Sequence, residues 1–222
     1  MAIMAGSSRK ISDPGLQLLF SRAYILGGSP CSGKSSLAEM LSTAYGFRYY
    51  KVDDHDQAHL QRCQSQLQPV MVKYASLSWN EVWSQPVGQL LADELACYRE
   101  RFQFILDDLR QLDPRVPVLL EGAAFLPELI DQFSPDRQRV LFMVPEVEFQ
   151  VWHYRQRPWI GQILNECQHP EQAFEHWMKR DELFGQEVIR QAAAYGFSVM
   201  RVDGSLDIDA TFAALRVRFG LS

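Results

Sequence analysis

The stretch Gly27-Gly28-Ser29-Pro30-Cys31-Ser32-Gly33-Lys34-Ser35-Ser36 constrains this chain more than any other, because Gly28 to Ser35 fits the pattern G-x-x-x-x-G-K-[ST]. Before it runs the short apolar segment Ala23-Tyr24-Ile25-Leu26, which reads as a strand. After it Leu37, Met40, Leu41 and Ala44 recur at helical spacing until Gly46. Strand, loop and helix in that order are the context in which the pattern cradles phosphate. Backbone N–H groups of Ser29, Pro30's neighbours and Cys31 to Ser36, with the positive end of the new helix, are expected to surround a β-phosphate. Lys34 is expected to reach the β- and γ-oxygens and the Ser35 hydroxyl to sit on Mg²⁺. Gly28 and Gly33 permit the tight backbone. Such a pattern arises by accident in about one chain of this length in a hundred, so a mere Gly-Ser turn is a weak alternative.

At 222 residues and 47% hydrophobic content, the chain can bury one sizeable core, and a single α/β domain with an insertion is expected. The net charge of -5 gives no global footprint for nucleic acid, and small anionic ligands fit better. Cysteines 31, 63, 97 and 167 form no C-x-x-C pair, the start lacks a signal-peptide layout, and no apolar run reaches membrane-spanning length. A reduced, cytoplasmic setting without membrane attachment is the expectation. Residues 1–20 read as an N-terminal arm followed by a short helix opened by Asp13-Pro14. Residues 21–222 read as the domain, with 55–112 a helical substrate-binding insertion and 155–180 a lid.

A second strand is expected over Phe47 to Val52, ending in Asp53-Asp54-His55-Asp56. Ligands of open parallel sheets bind at that strand edge, so an acid there can face the transferring phosphate and the incoming nucleophile. Asp53 reads as the general base. Asp54 is the other acid placed to meet the acceptor, although for Asp54 and Asp56 capping of the next helix is the favoured reading. His55-x-x-x-His59 has metal-ligand spacing, but no third ligand is evident nearby, so a solvated helix face is preferred to a zinc site.

From Leu60 to Leu112 the chain reads as irregular helix, too long for a simple crossover, and is expected to fold over the ligand edge and select the acceptor. Its last piece carries an apolar stripe from Val87 to Leu112, with Glu94, Tyr98 and Arg101 on one face. Arg99 lies beside the stripe, and one arginine, with Arg101 the site candidate, could hold an acidic group of the acceptor; ordinary surface charge is the favoured reading. Next, Pro117-Val118-Leu119-Leu120-Glu121-Gly122 reads as a buried strand closed by an acid and a glycine. Glu121 there can orient Mg²⁺ through water, and Gly122 allows close approach of the acceptor. A fourth strand is expected over Arg139 to Val144 and a fifth over Phe197 to Val202.

The segment after Val144 carries positive charge: Arg155 and Arg157 precede Pro158, and Lys179 and Arg180 lie on a later helix. Arg157, before proline, is expected at a joint. A mobile lid that closes on ATP is the reading, with Arg155 catalytic and Arg157 on the nucleotide. Within the loop, Cys31 is expected to favour thiolate beside Lys34 and a helix N-terminus.

The chain resembles the P-loop kinases of small molecules, a superfamily that includes nucleoside-monophosphate, shikimate, gluconate, uridine and chloramphenicol kinases. The likeness spans about Tyr24 to Phe219 and rests on G-S-P-C-S-G-K-S, V-D-D-H, L-L-E-G, Y-R-Q-R and V-D-G-S. It implies a three-layer fold on a five-stranded parallel sheet of order 2-3-1-4-5. It also implies use of ATP and Mg²⁺, an acceptor-side role for Asp53, and a turn at Asp203-Gly204 near the adenine. Nucleoside-monophosphate kinases carry D-G-x-P-R after strand three, whereas this chain reads Glu121-Gly122-Ala123-Ala124-Phe125, without the arginine that would hold a nucleotide phosphate. A hydroxyl acceptor benefits from a positioned base, so transfer to the hydroxyl of a small molecule is favoured. A nucleotide-binding regulatory ATPase and a nucleotide or polynucleotide kinase are the alternatives. The last would need a basic groove, and only the lid region is basic.

Overall fold

The computed structural model describes residues 13–222, so the arm expected over Met1 to Ser12 lies outside the described residues. Five strands, β1 (Tyr24–Gly28), β2 (Arg48–Lys51), β3 (Val118–Glu121), β4 (Val140–Pro145) and β5 (Ser198–Val202), form one all-parallel sheet in the order 2-3-1-4-5. β1, β3 and β4 are buried at every position, as their continuous apolar runs require of central parallel strands, while the edge strands β2 and β5 are only partly covered.

Asp13 caps α1 (Pro14–Arg22), its carboxylate accepting from the Leu16 N–H at 3.1 Å. α2 (Lys34–Tyr45) follows the phosphate-loop pattern and stops at Gly46, left-handed at φ 66°. α3 (Asp56–Arg62), α4 (Pro69–Ser76), α5 (Trp79–Trp83) and the long α6 (Val87–Leu109) make up the expected insertion. The short α7 (Pro127–Ile130) leads to β4. α8 (Val147–Arg155), α9 (Pro158–Asn165) and α10 (Pro170–Tyr195) fill the space between β4 and β5, and α11 (Ile208–Phe219) closes the chain.

These helices make three layers. One face of the sheet packs its Ile25, Leu120 and Phe142 against Leu16, Phe20, Phe102, Ile105 and Phe184 of α1, α6 and α10. The other packs Leu26, Leu119 and Leu141 against Leu37, Leu41, Leu215 and Phe219 of α2 and α11. Beyond the sheet edge a third cluster joins α5 to α9 and α10, with Trp83 and Trp177 stacked at 4.3 Å. Among the described residues, no helix is long and apolar enough to cross a membrane.

Candidate functional site

The loop after β1 is shaped by backbone demands that only certain residues meet. At Gly28 (φ 108°) a Cβ would lie 2.2 Å from the Met143 carbonyl oxygen, so a side chain there would push β4 away. Glycine instead lets the Ser29 N–H donate to that oxygen at 2.9 Å. Cys31 and Gly33 are both left-handed, and no side chain caps α2, which leaves its first-turn N–H groups pointing out of the helix end. Lys34 is buried and its ammonium donates to the Ser29 carbonyl at 2.6 Å and the Ser32 hydroxyl at 3.3 Å. Burial lowers its pKa, opposed by the neighbouring carboxylates of Glu121 and Asp53.

Strand register brings those carboxylates to the lysine. Leu26, Glu121 and Lys51 lie side by side across β1, β3 and β2. Glu121 therefore ends its strand beside the root of the loop, and Asp53 follows two residues after Lys51 in a 3-10 turn, Val52–His55. Glu121 is buried, and its Oε2 accepts from the Tyr49 hydroxyl at 3.0 Å and the Ser35 hydroxyl at 3.3 Å. Desolvation raises its pKa and the charge of Lys34 draws it back. Pro30 to Ser36 and Asp53, Tyr98, Glu121, Ala123 and Arg157 line a cleft of about 270 Å³.

Across the loop lies a second cavity of about 340 Å³, bounded by Cys31, Gly33, Ser36, Phe149, His153, Arg157, Val202, Leu206 and Ile208 among others. Its aromatic and aliphatic walls suit a flat ring. Arg157 and the loop line both spaces, so a ligand could pass from one to the other beneath that arginine.

Several expected residues stand elsewhere. Asp54 is exposed, its nearest cation Lys51 at 4.0 Å, and neither it nor Asp56 caps α3, whose N-cap is His55 without a side-chain bond. Asp56 pairs with Arg101, which occupies the guanidinium expected to hold the acceptor. Gly122 (φ 151°) packs on Val52, where a Cβ would come within 2.8 Å of the Val52 Cβ; it seats the turn that carries Asp53 and does not line the cleft. Asp203 accepts from the Ser205 N–H, and Gly204 (φ 84°) packs on the Phe149 ring, so this turn supports the wall of the ring-sized cavity from behind.

Arg155, expected to be catalytic, lies outside both cavities, over the Phe174 ring at 4.4 Å and 3.4 Å from Glu171. The reason is the joint: α8 ends at Arg155, Pro158 opens α9, and Arg157 between them is extended and turned toward the loop. Lys179 pairs with Glu182 at 2.8 Å, and the largely covered Arg180 lies between Glu94 (3.1 Å) and Asp181 (2.7 Å), which also engages Glu94. Trp83 and Trp177 stack, so residues 155–180 pack against the insertion. Cys31 also departs from the expected thiolate. Desolvation pushes its thiol up to about 11, outweighing Arg157 and Lys34, so the protonated thiol dominates.

Tyr49, Tyr98, Phe149 and His153 were not singled out from the sequence as site residues. Phe149 and His153, one helical turn apart with ring centroids at 4.1 Å, form an aromatic pair off the Val147, Val151, Tyr154 spacing, which is the signal that could have marked them. No protein-family model matches the chain, and no curated protein matches it. A crystal structure of an uncharacterized protein from Eubacterium ventriosum ATCC 27560 is 11% identical over 90% of this chain and 98% of that one, with a TM-score of 0.43. A crystal structure of NadR protein in complex with NR is 14% identical over 93% of this chain, at a TM-score of 0.42; this chain spans 54% of its length.

Proposed function

We propose that the chain is an ATP- and Mg²⁺-dependent kinase of the P-loop small-molecule type, transferring the γ-phosphoryl group to a hydroxyl of a small acceptor. The observation that carries this reading is the convergence of Asp53, Lys34, Ser35, Glu121 and Arg157 on one cleft of about 270 Å³. A loop narrowed by Gly28, free amides at the start of α2 and an adjoining ring-sized cavity fit a nucleotide. The Ser35 hydroxyl and Glu121 carboxylate are hard oxygen donors that fit Mg²⁺. When bound, Mg·ATP supplies the phosphoryl group and much of the positive charge that offsets it.

The protein's own groups then have separate tasks. Lys34 and the loop amides hold phosphate oxygens in place of the lysine's present hold on the Ser29 carbonyl. Tyr49 and Ser35 fix the Glu121 carboxylate where it can orient the metal's water shell. Asp53 takes the acceptor's proton as its oxygen attacks. Arg157 adds charge beside the transferring group, and Tyr98 and Ala123 wall the acceptor side, which favours a small molecule over a polymer. Four free thiols fit a reduced, cytoplasmic setting.

Thermal shifts with an ATP analogue plus a library of sugars, nucleosides and small hydroxy acids identify the acceptor. With it in hand, Asp53→Asn is expected to lower kcat by about 10²–10⁴ while ATP affinity stays within about a few-fold. Lys34→Ala is expected to abolish transfer. Unchanged turnover in Lys34→Ala would sink the reading, and ATP hydrolysis that no small molecule stimulates would favour the regulatory ATPase.

A further inference from the structure

The helix face expected to be solvated is the least solvated part of α3. His59 is fully buried, with Nε2 2.7 Å from Asp108 Oδ2, and half-exposed His55 brings Nδ1 to 3.5 Å from the same oxygen. The ligand atoms of His55, His59 and Asp108 all lie within 4.8 Å of one another. The third group was hidden from the sequence because it comes from α6, 49 residues beyond His59.

Two imidazoles and one carboxylate are the donor set of many zinc-type sites, in which a metal about 2.0–2.2 Å from each ligand leaves further positions for water. Tetrahedral bonds of that length put ligand atoms about 3.4 Å apart. His55 is the ring with room to adjust, since it is partly exposed and held by ring stacking on Tyr50 and His59. Asp108 is already oriented: the Tyr50 hydroxyl donates to Oδ2 at 2.8 Å and Arg62 to Oδ1 at 3.2 Å, the kind of outer partners that steady a ligating carboxylate. The cations facing the cluster are themselves engaged, Arg62 also with Asp107 and Arg101 with Asp56. The remaining nitrogen, His59 Nδ1, has no partner in either tautomer and so does not separate a metal site from a plain hydrogen bond.

We propose that His55, His59 and Asp108 bind one zinc-type divalent ion that pins the turn carrying Asp53 to α6. The site stands on its own geometry and does not depend on the kinase reading. The test is calorimetric titration of Zn²⁺ into the chelator-treated, full-length protein, with Co²⁺ absorption as a probe of nitrogen and oxygen ligation. One Zn²⁺ per chain is expected, with affinity reduced more than about 100-fold in His55→Ala and about 10–100-fold in Tyr50→Phe, which loses only the outer partner. His55→Ala removes a partly exposed ring, and circular dichroism checks that it remains folded. ATP-analogue binding, measured on the same samples, separates failure of this site from failure of the nucleotide reading. No uptake at micromolar Zn²⁺, equal uptake in His55→Ala, or uptake that disappears only in Cys63→Ser would overturn the proposal.

Discussion

Cys31 shows how burial overrides a favourable local charge. Its position beside Lys34 and at the mouth of α2 favours thiolate, yet the loop folds it into partial burial and the desolvation cost lifts the thiol to about 11. Iodoacetamide at neutral pH is therefore expected to label Cys31 about 10²-fold more slowly than an ordinary exposed thiol. The rate should keep rising with pH up to about 11. A plateau near about pH 8.5, the ordinary thiol value, would refute this assignment. The phosphate loop itself was legible in the sequence because its demands are local: Gly28, Gly33 and Lys34 act within a few residues of one another. The surroundings of Glu121 were not. Its cost as a lone buried charge is offset by Tyr49, 72 residues earlier, and by Ser35, partners that only the strand register brings together.

At the scale of elements, the central strands were readable because β1, β3 and β4 are apolar and buried at every position. The packing of residues 155–180 was not, since it depends on Trp83 of α5 meeting Trp177 of α10. That contact, with the bend before Pro158, decides which arginine serves the cleft. Arg157 lines both cavities, whereas Arg155 is an exposed partner of Glu171. Arg157→Ala is accordingly expected to lower kcat about 10²-fold, the usual loss when one donor to developing charge is removed. Arg155→Ala should change it less than about twofold, as befits a surface pair. Steady-state kinetics on the two variants, with the acceptor found above, provides the check; the reverse order would return the catalytic role to Arg155.

Across the whole molecule, α6, α8 and α10 meet at a buried polar knot behind the cleft. Arg180 lies between Glu94 and Asp181, and Tyr98, whose ring lines the cleft, donates to Glu94 Oε1 at 3.0 Å. Two buried acids share one guanidinium, and desolvation raises the pKa of both while Arg180 draws them down. The sign of the consequence is fixed by linkage. Between the ordinary carboxylate range and the raised value of Glu94, the folded chain holds a proton that the unfolded chain releases. Stability from this group is thus complete below the ordinary value and is lost as pH rises through the folded one. Glu94→Gln removes that proton from the balance. Urea unfolding measured from about pH 5 to about pH 8 should therefore show a shallower decline in the variant than in the wild-type chain, by at most about 1.4 kcal/mol per pH unit. Parallel pH profiles for the two would mean that Glu94 stays ionised in the folded protein throughout, with Arg180 paired to it outright.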